Sequence, residues 1–256
     1  MAELPVNRFK AQIAAGQQQI GIWCCLASPV TAEICAGAGF DWMLFDCEHA
    51  PNDSTSVLAQ LQAVEPYPGT AMVRPAVGSP TAIKQMLDIG ALNLLIPMVD
   101  NAEQAKAIAA AAAFPTTGMR GVAAQTRAGR WGRVTGYLQR AREEICVIVQ
   151  IETAEGLANL AEIASIDGID AIFIGPADLS ASLGFLGQAS HPEMQAVIDD
   201  AINRLKAIGK PIGIMALEQA AARKYLEQGV SFVAVGMDTM LLADATSRLC
   251  EMFDPK

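Results

Sequence analysis

The stretch TAMVRPAVGSPTAIKQMLDIGALNLLIPM, residues 70–98, holds two short apolar runs separated by a helical pattern. The runs are TAMVR at 70–74 and NLLIPM at 93–98, and their length and apolar character predict buried strands. Between them, SPTAIKQMLDIG has the spacing of an amphipathic helix and ends in glycine, as helices commonly do. A strand, a helix and a second strand in this order predict one unit of a parallel sheet.

Six further apolar runs repeat this arrangement along the chain. They are IGIWCC (20–25), WMLFD (42–46), CVIVQI (146–151), AIFIG (171–175), PIGIM (211–215) and FVAVG (232–236). A segment that can form an amphipathic helix follows each of the eight runs. Eight strands and eight helices in about 250 residues predict a single (β/α)8 TIM barrel, an α/β fold covering residues 1–256 as one domain. The alternative is an open, doubly wound sheet, which is disfavoured because no GxGxxG turn marks a dinucleotide site.

Two segments lie outside this repeat. Residues 4–16 are amphipathic and predict an N-terminal helix that caps the bottom of the barrel. Residues 114–145 form a long connection, and such connections are usually functional or contact another subunit. This connection contains four arginines that we expect to contact an anionic substrate tail or a neighbouring subunit, namely Arg120, Arg127, Arg130 and Arg133.

The composition excludes several classes of protein. With 52% hydrophobic and 18% charged residues, the chain has material for a large core. A net charge of -9 argues against nucleic acid as a partner, because phosphate binding relies on clustered Lys and Arg. The first residues lack a signal-peptide pattern and no apolar run reaches about 18 residues, so we expect no membrane partner and a cytoplasmic location. The six cysteines form no CxxC pair and are expected to be reduced thiols.

Polar side chains follow several predicted strands at the C-terminal rim, where barrel enzymes place their sites. These residues are Asp46, Glu48 and His49 after the second run in the chain, Arg74 at the end of the third, Gln150 and Glu152 at the fifth, and Asp178 after the sixth. Residues two apart on a strand share a face, so Gln150 and Glu152 can both point into the mouth of the barrel. We therefore expect the rim residues to form one site.

Glu152 and Asp178 place two carboxylates at separate strand ends. Together with water and substrate oxygens, they suit a hard divalent cation such as Mg²⁺ or Mn²⁺ better than they suit zinc. Hydrogen bonding at the rim is the alternative, and Asp178 can equally be the N-cap of a helix DLSASLG. The residues by themselves leave both interpretations open.

Arg74 and His49 are the candidate groups for catalysis. A buried guanidinium needs an anionic partner, either a rim carboxylate or the carboxylate or enolate of a substrate. His49 lies beside two acids and carries a side chain that ordinarily titrates near neutral pH, so we interpret it as a general base, with a structural histidine as the alternative. His191 precedes a proline at a predicted helix start and is expected at the surface. No lysine is predicted at the end of a barrel strand, which disfavours Schiff-base chemistry.

Four segments together resemble the HpcH/HpaI aldolases, a family of metal-dependent class II pyruvate aldolases. They are AGAGFDWMLFDCEHAPND (36–53), VRPAVGSPTAIKQMLDIGALNLLIPMV (73–99), VQIET (149–153) and IDAIFIGPADLSASLG (169–184). The likeness extends over nearly the whole chain, including FVAVGMDTMLLA (232–243). It implies reversible aldol cleavage of 4-hydroxy-2-oxo acids to pyruvate and an aldehyde such as succinate semialdehyde, through a metal-stabilised pyruvate enolate.

The resemblance also implies roles for single residues in catalysis. Glu152 and Asp178 would bind the divalent metal, which is Mg²⁺, Mn²⁺ or Co²⁺ in this family. Arg74 would stabilise the enolate, and His49 together with Asp88 would form an acid/base dyad.

Further residues are implied in substrate binding and in the surroundings of the metal. Asp46 and Glu48 would orient metal-bound water, and Gln150, Pro176 and Ala177 would contact the keto acid. The segment PIGIMALEQAA (211–221) is one residue shorter than the resemblance leads us to expect, near the place where the family binds the aldehyde. The identity of the aldehyde is therefore left open. An acidic aldehyde would need a second positively charged side chain to bind it, which Arg120 or Arg127 would provide.

The resemblance further implies a homo-oligomer, a hexamer built as a trimer of dimers, whose last helix is swapped onto a neighbouring subunit. LLADATSRLCEMF (241–253) would be that helix, and packing on its own barrel is the alternative. Two other functions stay open. One is a lyase of the same superfamily that acts on sugar-derived keto acids or acyl-CoA esters, and the other is a keto-acid-binding barrel without catalysis.

Overall fold

The computed structural model describes residues 2–253 and contains a closed barrel of eight parallel strands. The strands are β1 Gln19–Cys24, β2 Trp42–Asp46, β3 Thr70–Arg74, β4 Asn93–Ile96, β5 Cys146–Ile151, β6 Ala171–Ile174, β7 Ile212–Met215 and β8 Phe232–Met237. Each strand pairs with the next one along the chain, and β8 pairs with β1. The predicted barrel is confirmed, and the doubly wound alternative is wrong because an open sheet has unpaired edge strands.

The predicted apolar runs coincide closely with these strands. WMLFD, TAMVR and CVIVQI have the bounds of β2, β3 and β5. The run NLLIPM continues beyond the end of β4, because Pro97 has no amide hydrogen to donate to the sheet. AIFIG, PIGIM and FVAVG differ from β6, β7 and β8 by one residue at one end, and IGIWCC is shifted by one residue relative to β1.

Twelve helices accompany the strands among the described residues. They are α1 Arg8–Ala14, α2 Pro29–Gly37, α3 Ser54–Val64, α4 Pro80–Asp88, α5 Ala102–Ala111, α6 Tyr137–Glu144, α7 Ala154–Ala158, α8 Leu160–Ala164, α9 Pro176–Ser182, α10 Pro192–Ala207, α11 Gln219–Glu227 and α12 Asp238–Phe253. The helix predicted in SPTAIKQMLDIG is α4, where Pro80 follows Ser79 and the Ser79 hydroxyl accepts a hydrogen bond from the amide of Ala82. None of the helices between residues 2 and 253 combines the length and apolar character needed to cross a membrane.

Aromatic and aliphatic side chains fill the lower part of the barrel. The ring centroid of Phe232 lies 5.9 Å from that of Trp42 and 6.0 Å from that of Phe173. Gly213 on β7 makes room for these rings, because a β-carbon at this position would lie 2.2 Å from the ring of Phe232. The barrel is therefore a packed core below its rim and not a pore.

The helix α1 closes the bottom of the barrel, as predicted. Phe9 is fully buried, and its ring centroid lies 5.1 Å from that of Phe232. Asn7 caps the helix and donates through Nδ2 to the carbonyl oxygen of Glu144 and to Oδ1 of Asn93, both at 2.8 Å. The helix begins at Arg8, later than the predicted segment 4–16, because Asn7 fixes its start.

The long connection predicted at residues 114–145 ends in α6 and otherwise consists of turns and irregular structure. Arg127 and Arg130 pair with Glu65 at 2.9 and 2.6 Å. Both arginines line a cavity of about 410 Å³ together with Thr70, the first residue of β3. These arginines therefore lie at the N-terminal end of the strands, opposite to the catalytic rim expected in a barrel.

Arg120 belongs to the same end of the molecule. Its guanidinium is buried, stacks on the ring of Phe114 and lies 2.6 Å from Asp88 at the end of α4. Helices of a barrel run back from the rim, so the end of α4 is far from the rim. The expectation that Arg120 or Arg127 contacts a substrate tail is thus wrong within one chain, and contact of the loop arginines with a second chain stays a prediction.

The final helix α12 projects away from its own barrel. All residues from Met240 to Phe253 are exposed, among them the apolar residues Leu241 and Leu249. A final helix packed on its own barrel would cover the junction of β8 and β1. The side chain of Ile20 on β1 is instead exposed. The alternative that α12 packs on its own barrel is therefore wrong.

Candidate active site

A cavity of about 850 Å³ opens at the C-terminal rim of the barrel. Seven of the residues predicted from the sequence line it, namely Asp46, His49, Arg74, Gln150, Pro176, Ala177 and Asp178. Glu48 and Glu152 lie behind this wall and contact residues that form it. The predicted rim residues are thus brought together because each stands at the end of a barrel strand or just after it.

Arg74 and Asp46 form a bidentate ion pair at the ends of β3 and β2. Nε of Arg74 donates to Oδ1 of Asp46 at 2.8 Å, and Nη2 donates to Oδ2 at 2.6 Å. Nη1 lies 2.7 Å from Oε2 of Glu48. The pair forms because Asp46 and Arg74 are direct partners in the register of the two strands. Rim carboxylates are therefore the partners of Arg74, which also lines the cavity.

Burial and the charge of the partner shift the pKa values of Asp46 and Arg74 in opposite directions. Burial alone would raise the pKa of Asp46, but the hydrogen bonds and charge of Arg74 outweigh it and lower the pKa. Burial alone would lower the pKa of Arg74, and Asp46 and Glu48 raise it above its usual value. Trp23 supports both partners, because its Nε1 donates to Oδ2 of Asp46 at 3.3 Å and its ring lies 5.0 Å from the guanidinium. Asp46 and Arg74 are consequently both ionised at neutral pH.

Glu152 is held after the end of β5 by two hydrogen bonds. Its Oε1 accepts one from the amide of Met98 at 2.8 Å, and its Oε2 accepts one from Nε2 of Gln150. Met98 has a φ of 56°, an unusual conformation for a residue with a side chain. Gly175 allows Glu152 to lie here, because a β-carbon at this position would be 2.7 Å from Oε2.

Asp178 lies in the first turn of α9 and its carboxylate faces the cavity. The N-cap of α9 is Gly175, which provides no capping side chain, and Pro176 is the first helical residue. The interpretation of Asp178 as an N-cap is therefore wrong, because the helix begins before it. The backbone around Pro176 and Ala177 borders the same part of the cavity.

The oxygen atoms at this point of the rim fit a hard divalent cation. Burial, partly opposed by the Met98 amide and reinforced by Glu48 and Asp178, raises the pKa of Glu152 to about 7, and a cation here would favour its charged form. Oε1 of Gln150 is buried and has no hydrogen-bond partner within the described part of the chain. No group of three or more His, Cys, Asp or Glu side chains that could hold a metal occurs in residues 2–253. A cation would therefore need substrate and water as further ligands, as Mg²⁺ commonly does.

His49 follows β2 and projects into the cavity with most of its side chain exposed. Its Nε2 lies 3.8 Å from Oε2 of Glu48. Asp88, its expected partner, ends α4 and pairs with Arg120 at the other end of the barrel. The predicted dyad is thus not formed within one chain, because the strand length of the barrel separates the two side chains.

The other histidine and the cysteines have structural positions. His191 is the N-cap of α10, where its Nδ1 accepts a hydrogen bond from the amide of Glu193 at 3.3 Å. All six cysteines are free, as expected. Burial raises the pKa of the thiols of Cys25 and Cys47 to about 12, so both are protonated at neutral pH.

Sequence reasoning missed several groups at the rim. The alternation along IGIWCC, which places Trp23 on the inner face of β1, could have revealed this residue. No sequence signal marks the amide of Met98. The resemblance already placed residues 211–221 near the aldehyde, but no sequence signal marked Tyr225 on α11, which lines the same side of the cavity.

Comparison with known proteins identifies relatives over almost the whole chain. The family model described as HpcH/HpaI aldolase/citrate lyase matches residues 19–245. The hydroxypyruvate/pyruvate aldolase of Pseudomonas aeruginosa is 53% identical over 252 residues, which are 98% of this chain and 94% of that protein. The 4-hydroxy-2-oxo-heptane-1,7-dioate aldolase of Salmonella heidelberg strain SL476 is 53% identical over 248 residues, which are 96% and 94% of the two chains. A crystal structure of an HpcH/HpaI aldolase/citrate lyase family protein from Burkholderia cenocepacia J2315 superposes with a TM-score of 0.93 at 37% identity, covering 96% of this chain and 99% of that one.

Proposed function

The chain belongs to the HpcH/HpaI aldolase/citrate lyase family, and on this premise we propose that it cleaves 4-hydroxy-2-oxo acids reversibly into pyruvate and an aldehyde. It is a lyase that performs aldol cleavage. The observation that supports the substrate class is the convergence of Glu152, Asp178 and Arg74 at one rim of the barrel. Carboxylates for a cation next to a guanidinium suit a 2-oxo acid, whose carboxylate and ketone oxygens are both electron-rich.

Glu152 and Asp178 are the residues that would hold a divalent cation, which we propose to be Mg²⁺, Mn²⁺ or Co²⁺. When bound, such a cation supplies Lewis acidity to the ketone of the 2-oxo acid. Gln150 lines the cavity beside Glu152, and its unpartnered Oε1 and its amide group would contact the keto acid. Pro176 and Ala177 would form the floor against which the keto acid lies.

Arg74 would bring positive charge to the oxygen that becomes negative during cleavage. Its guanidinium is fixed by the two hydrogen bonds to Asp46, so it needs little reorganisation when charge develops. Glu48 lies against the other side of the same guanidinium. By the resemblance, Asp46 and Glu48 would also orient water at the site, and both carboxylates lie against the guanidinium of Arg74.

His49 would act as the general base, because its imidazole projects into the cavity. It would take the proton of the 4-hydroxyl group while the C3–C4 bond breaks and the aldehyde forms. The electron pair of that bond passes to the pyruvate enolate, and protonation of its C3 gives the methyl group of pyruvate. Asp88 would complete the dyad with His49 only from a second copy of the chain, since the two residues of one chain are separated by the barrel.

The charges on the cavity wall help to distinguish the alternative substrates, which are acyl-CoA esters and sugar-derived keto acids. A lyase for acyl-CoA esters would need cations for the nucleotide phosphates. Arg74 is the only Lys or Arg that the described residues contribute to this wall, and it is paired with Asp46. Sugar-derived keto acids are the second candidate, because the side of the cavity near Tyr225 is built from uncharged groups and one acid.

We also propose that the chain assembles as a homo-oligomer, in the form of a hexamer built from three dimers. Helix α12 supports this proposal. It exposes apolar side chains such as Leu242, Met252 and Phe253, and a helix whose apolar side chains lie in water lacks the packing that stabilises helices in proteins. A second copy could cover them with the apolar face that Val30 and Ile34 expose on α2.

Two further expectations from the sequence stay predictions. They are that residues 1–256 form one domain and that the protein is located in the cytoplasm.

The experiment that tests the proposed function is exchange of the pyruvate methyl protons in D₂O, followed by NMR. It requires no choice of aldehyde, because enolate formation alone leads to exchange. We expect exchange in the presence of Mg²⁺, its loss after the metal is stripped, and a decrease of about 100-fold or more in Glu152→Gln.

Glu155→Gln is the matched control, because it makes the same change at an exposed carboxylate in α7. It should exchange at the rate of the unmodified protein. Metal binding measured by calorimetry gives a second readout, since Glu152→Gln should also weaken it. If exchange persists without metal, or if both variants behave alike, the proposed function is wrong.

A further inference from the structure

One side of the rim cavity contains none of the residues that we assign to the keto acid. It consists of Gln195 on α10, Ala216, Leu217 and Glu218 after β7, and Ala221 and Tyr225 on α11, and we call these six residues the acceptor wall. In the closed ring of eight strands β7 lies across from β3, which ends in Arg74. A keto acid held by the groups at β2 to β6 would therefore direct its second reactant towards the acceptor wall.

The acceptor wall provides no cation. Lys224 precedes Tyr225 on α11, but its Nζ is held by the two carboxylate oxygens of Asp199 at 3.0 and 3.1 Å. It also lies 3.3 Å from Oε1 of Gln195, behind the wall. The arginines of the long connection lie at the opposite end of the barrel. A carboxylate on the aldehyde would find no opposite charge here within the described chain.

Neutral polar groups form the middle of the acceptor wall. The hydroxyl group of Tyr225 donates to Oε1 of Gln195 at 3.3 Å, and Nε2 of Gln195 donates to the carbonyl oxygen of Ala189 at 3.1 Å. These bonds hold both side chains in place. Ala216 and Leu217, which line the same wall, are apolar. The wall therefore suits an uncharged aldehyde that has both polar and apolar parts.

Glu218 adds a negative charge to this wall. It is the N-cap residue of α11, but its side chain makes no capping hydrogen bond and is exposed at the cavity. Because like charges repel and the mouth is solvated, Glu218 should disfavour an anionic aldehyde by a modest factor.

We propose that the acceptor wall selects uncharged aldehydes over carboxylate-bearing ones, and that Glu218 determines this preference. The inference rests on the proposed function, since it concerns the second reactant of the same site. It competes with the expectation that a loop arginine selects an acidic aldehyde such as succinate semialdehyde, since an Arg120 that accompanies Asp88 of a second copy would produce the opposite preference.

The test compares two aldehydes of similar shape as acceptors for pyruvate in the presence of Mg²⁺. They are succinate semialdehyde, which is anionic, and its methyl ester, which is neutral. We expect the unmodified protein to give the higher kcat/KM with the ester. Glu218→Gln should raise kcat/KM for the anion about 3-fold and Glu218→Lys about 10-fold, with little change for the ester, because only the anion interacts with the charge.

Glu227→Gln is the matched control, because it removes an exposed carboxylate from the same helix, away from the cavity. It should leave the ratio of the two kcat/KM values unchanged. Higher salt should reduce the preference of the unmodified protein and have little effect on Glu218→Gln.

Pyruvate methyl exchange is measured for every variant and separates the two proposals. Intact exchange with an unchanged ratio in both Glu218 variants would show that Glu218 does not select the aldehyde. A preference for succinate semialdehyde in the unmodified protein would overturn the inference as well. Absence of metal-dependent exchange in the unmodified protein would refute the proposed function itself.

Discussion

Arg74 links stability and chemistry at the scale of one residue. Its guanidinium is buried together with the carboxylate of Asp46, and each group needs the other because an unpaired buried charge is costly. The planar arrangement of donors matches both carboxylate oxygens at once. The same contact therefore keeps the strand ends together and orients the group that we assign to the enolate.

We predict that Arg74→Lys lowers the free energy of unfolding by about 2 kcal/mol, because lysine retains the charge but cannot make the bidentate contact. Urea denaturation of the metal-free protein measures this change. The rate of pyruvate methyl exchange should fall by about tenfold or more in the same variant. Arg140→Lys is the control, since Arg140 pairs with Glu143 in solvent and such pairs contribute little. Equal losses in the two variants would contradict the role given to Arg74.

At the scale of one element, β7 shows how the barrel interior limits its strands. Gly213 stands where the rings of Phe232 and Phe173 meet, and a β-carbon would lie 2.2 Å from the first and 2.6 Å from the second. The strand has no other way to accommodate both rings, because its backbone is fixed by pairing with β6 and β8. Small size is therefore required at this position, although the strand pattern alone would allow a larger residue.

Gly213→Ala should lower the free energy of unfolding by about 2 kcal/mol or more, since overpacking forces rings and backbone to move. Thermal and urea unfolding both measure this effect. Gly37→Ala in α2 is the control, because its β-carbon would meet only the ring of Tyr67 at 3.7 Å. The control should be neutral or slightly more stable, given the helix propensity of alanine. A tolerated alanine at position 213 would mean that the packing of the interior is looser than described.

At the scale of the whole molecule, two features point beyond one chain. Helix α12 exposes apolar side chains along its length, and Asp88 lies far from the histidine with which the resemblance pairs it. Both features are explained if copies of the chain complete one another. The assembly would then be a condition for activity as well as for stability.

We predict that His49→Ala and Asp88→Ala, each inactive in aldol cleavage by itself, regain activity when the two variants are co-expressed. In a mixed assembly about a quarter of the sites would combine an intact His49 of one copy with an intact Asp88 of another. The measurement is the rate of aldehyde-dependent turnover per chain, with the separately purified variants mixed just before the assay as the control. No recovery in the co-expressed sample would contradict a site shared between copies.

The positions of all eight strands and of most rim residues could be read from the sequence. Apolar runs and helix signals depend on neighbours within a few residues, so local patterns predict them, and the closed barrel follows from their number and order. Asp46, Arg74, Gln150 and Asp178 were found because strand ends share one rim. The resemblance to a known family then supplied the reaction and the individual roles.

Only the tertiary structure decided which of these groups touch. The pairing of Arg74 with Asp46 depends on the register of β2 and β3, and the hydrogen bond from Met98 to Glu152 depends on a loop with no sequence signal. The same holds for the acceptor wall, which unites residues from α10, β7 and α11. Separation along the chain does not determine distance in space, because register and barrel closure set it. Strand pattern and composition were therefore local properties of the sequence, while contacts, charges facing the cavity and the projection of α12 were properties of the folded chain.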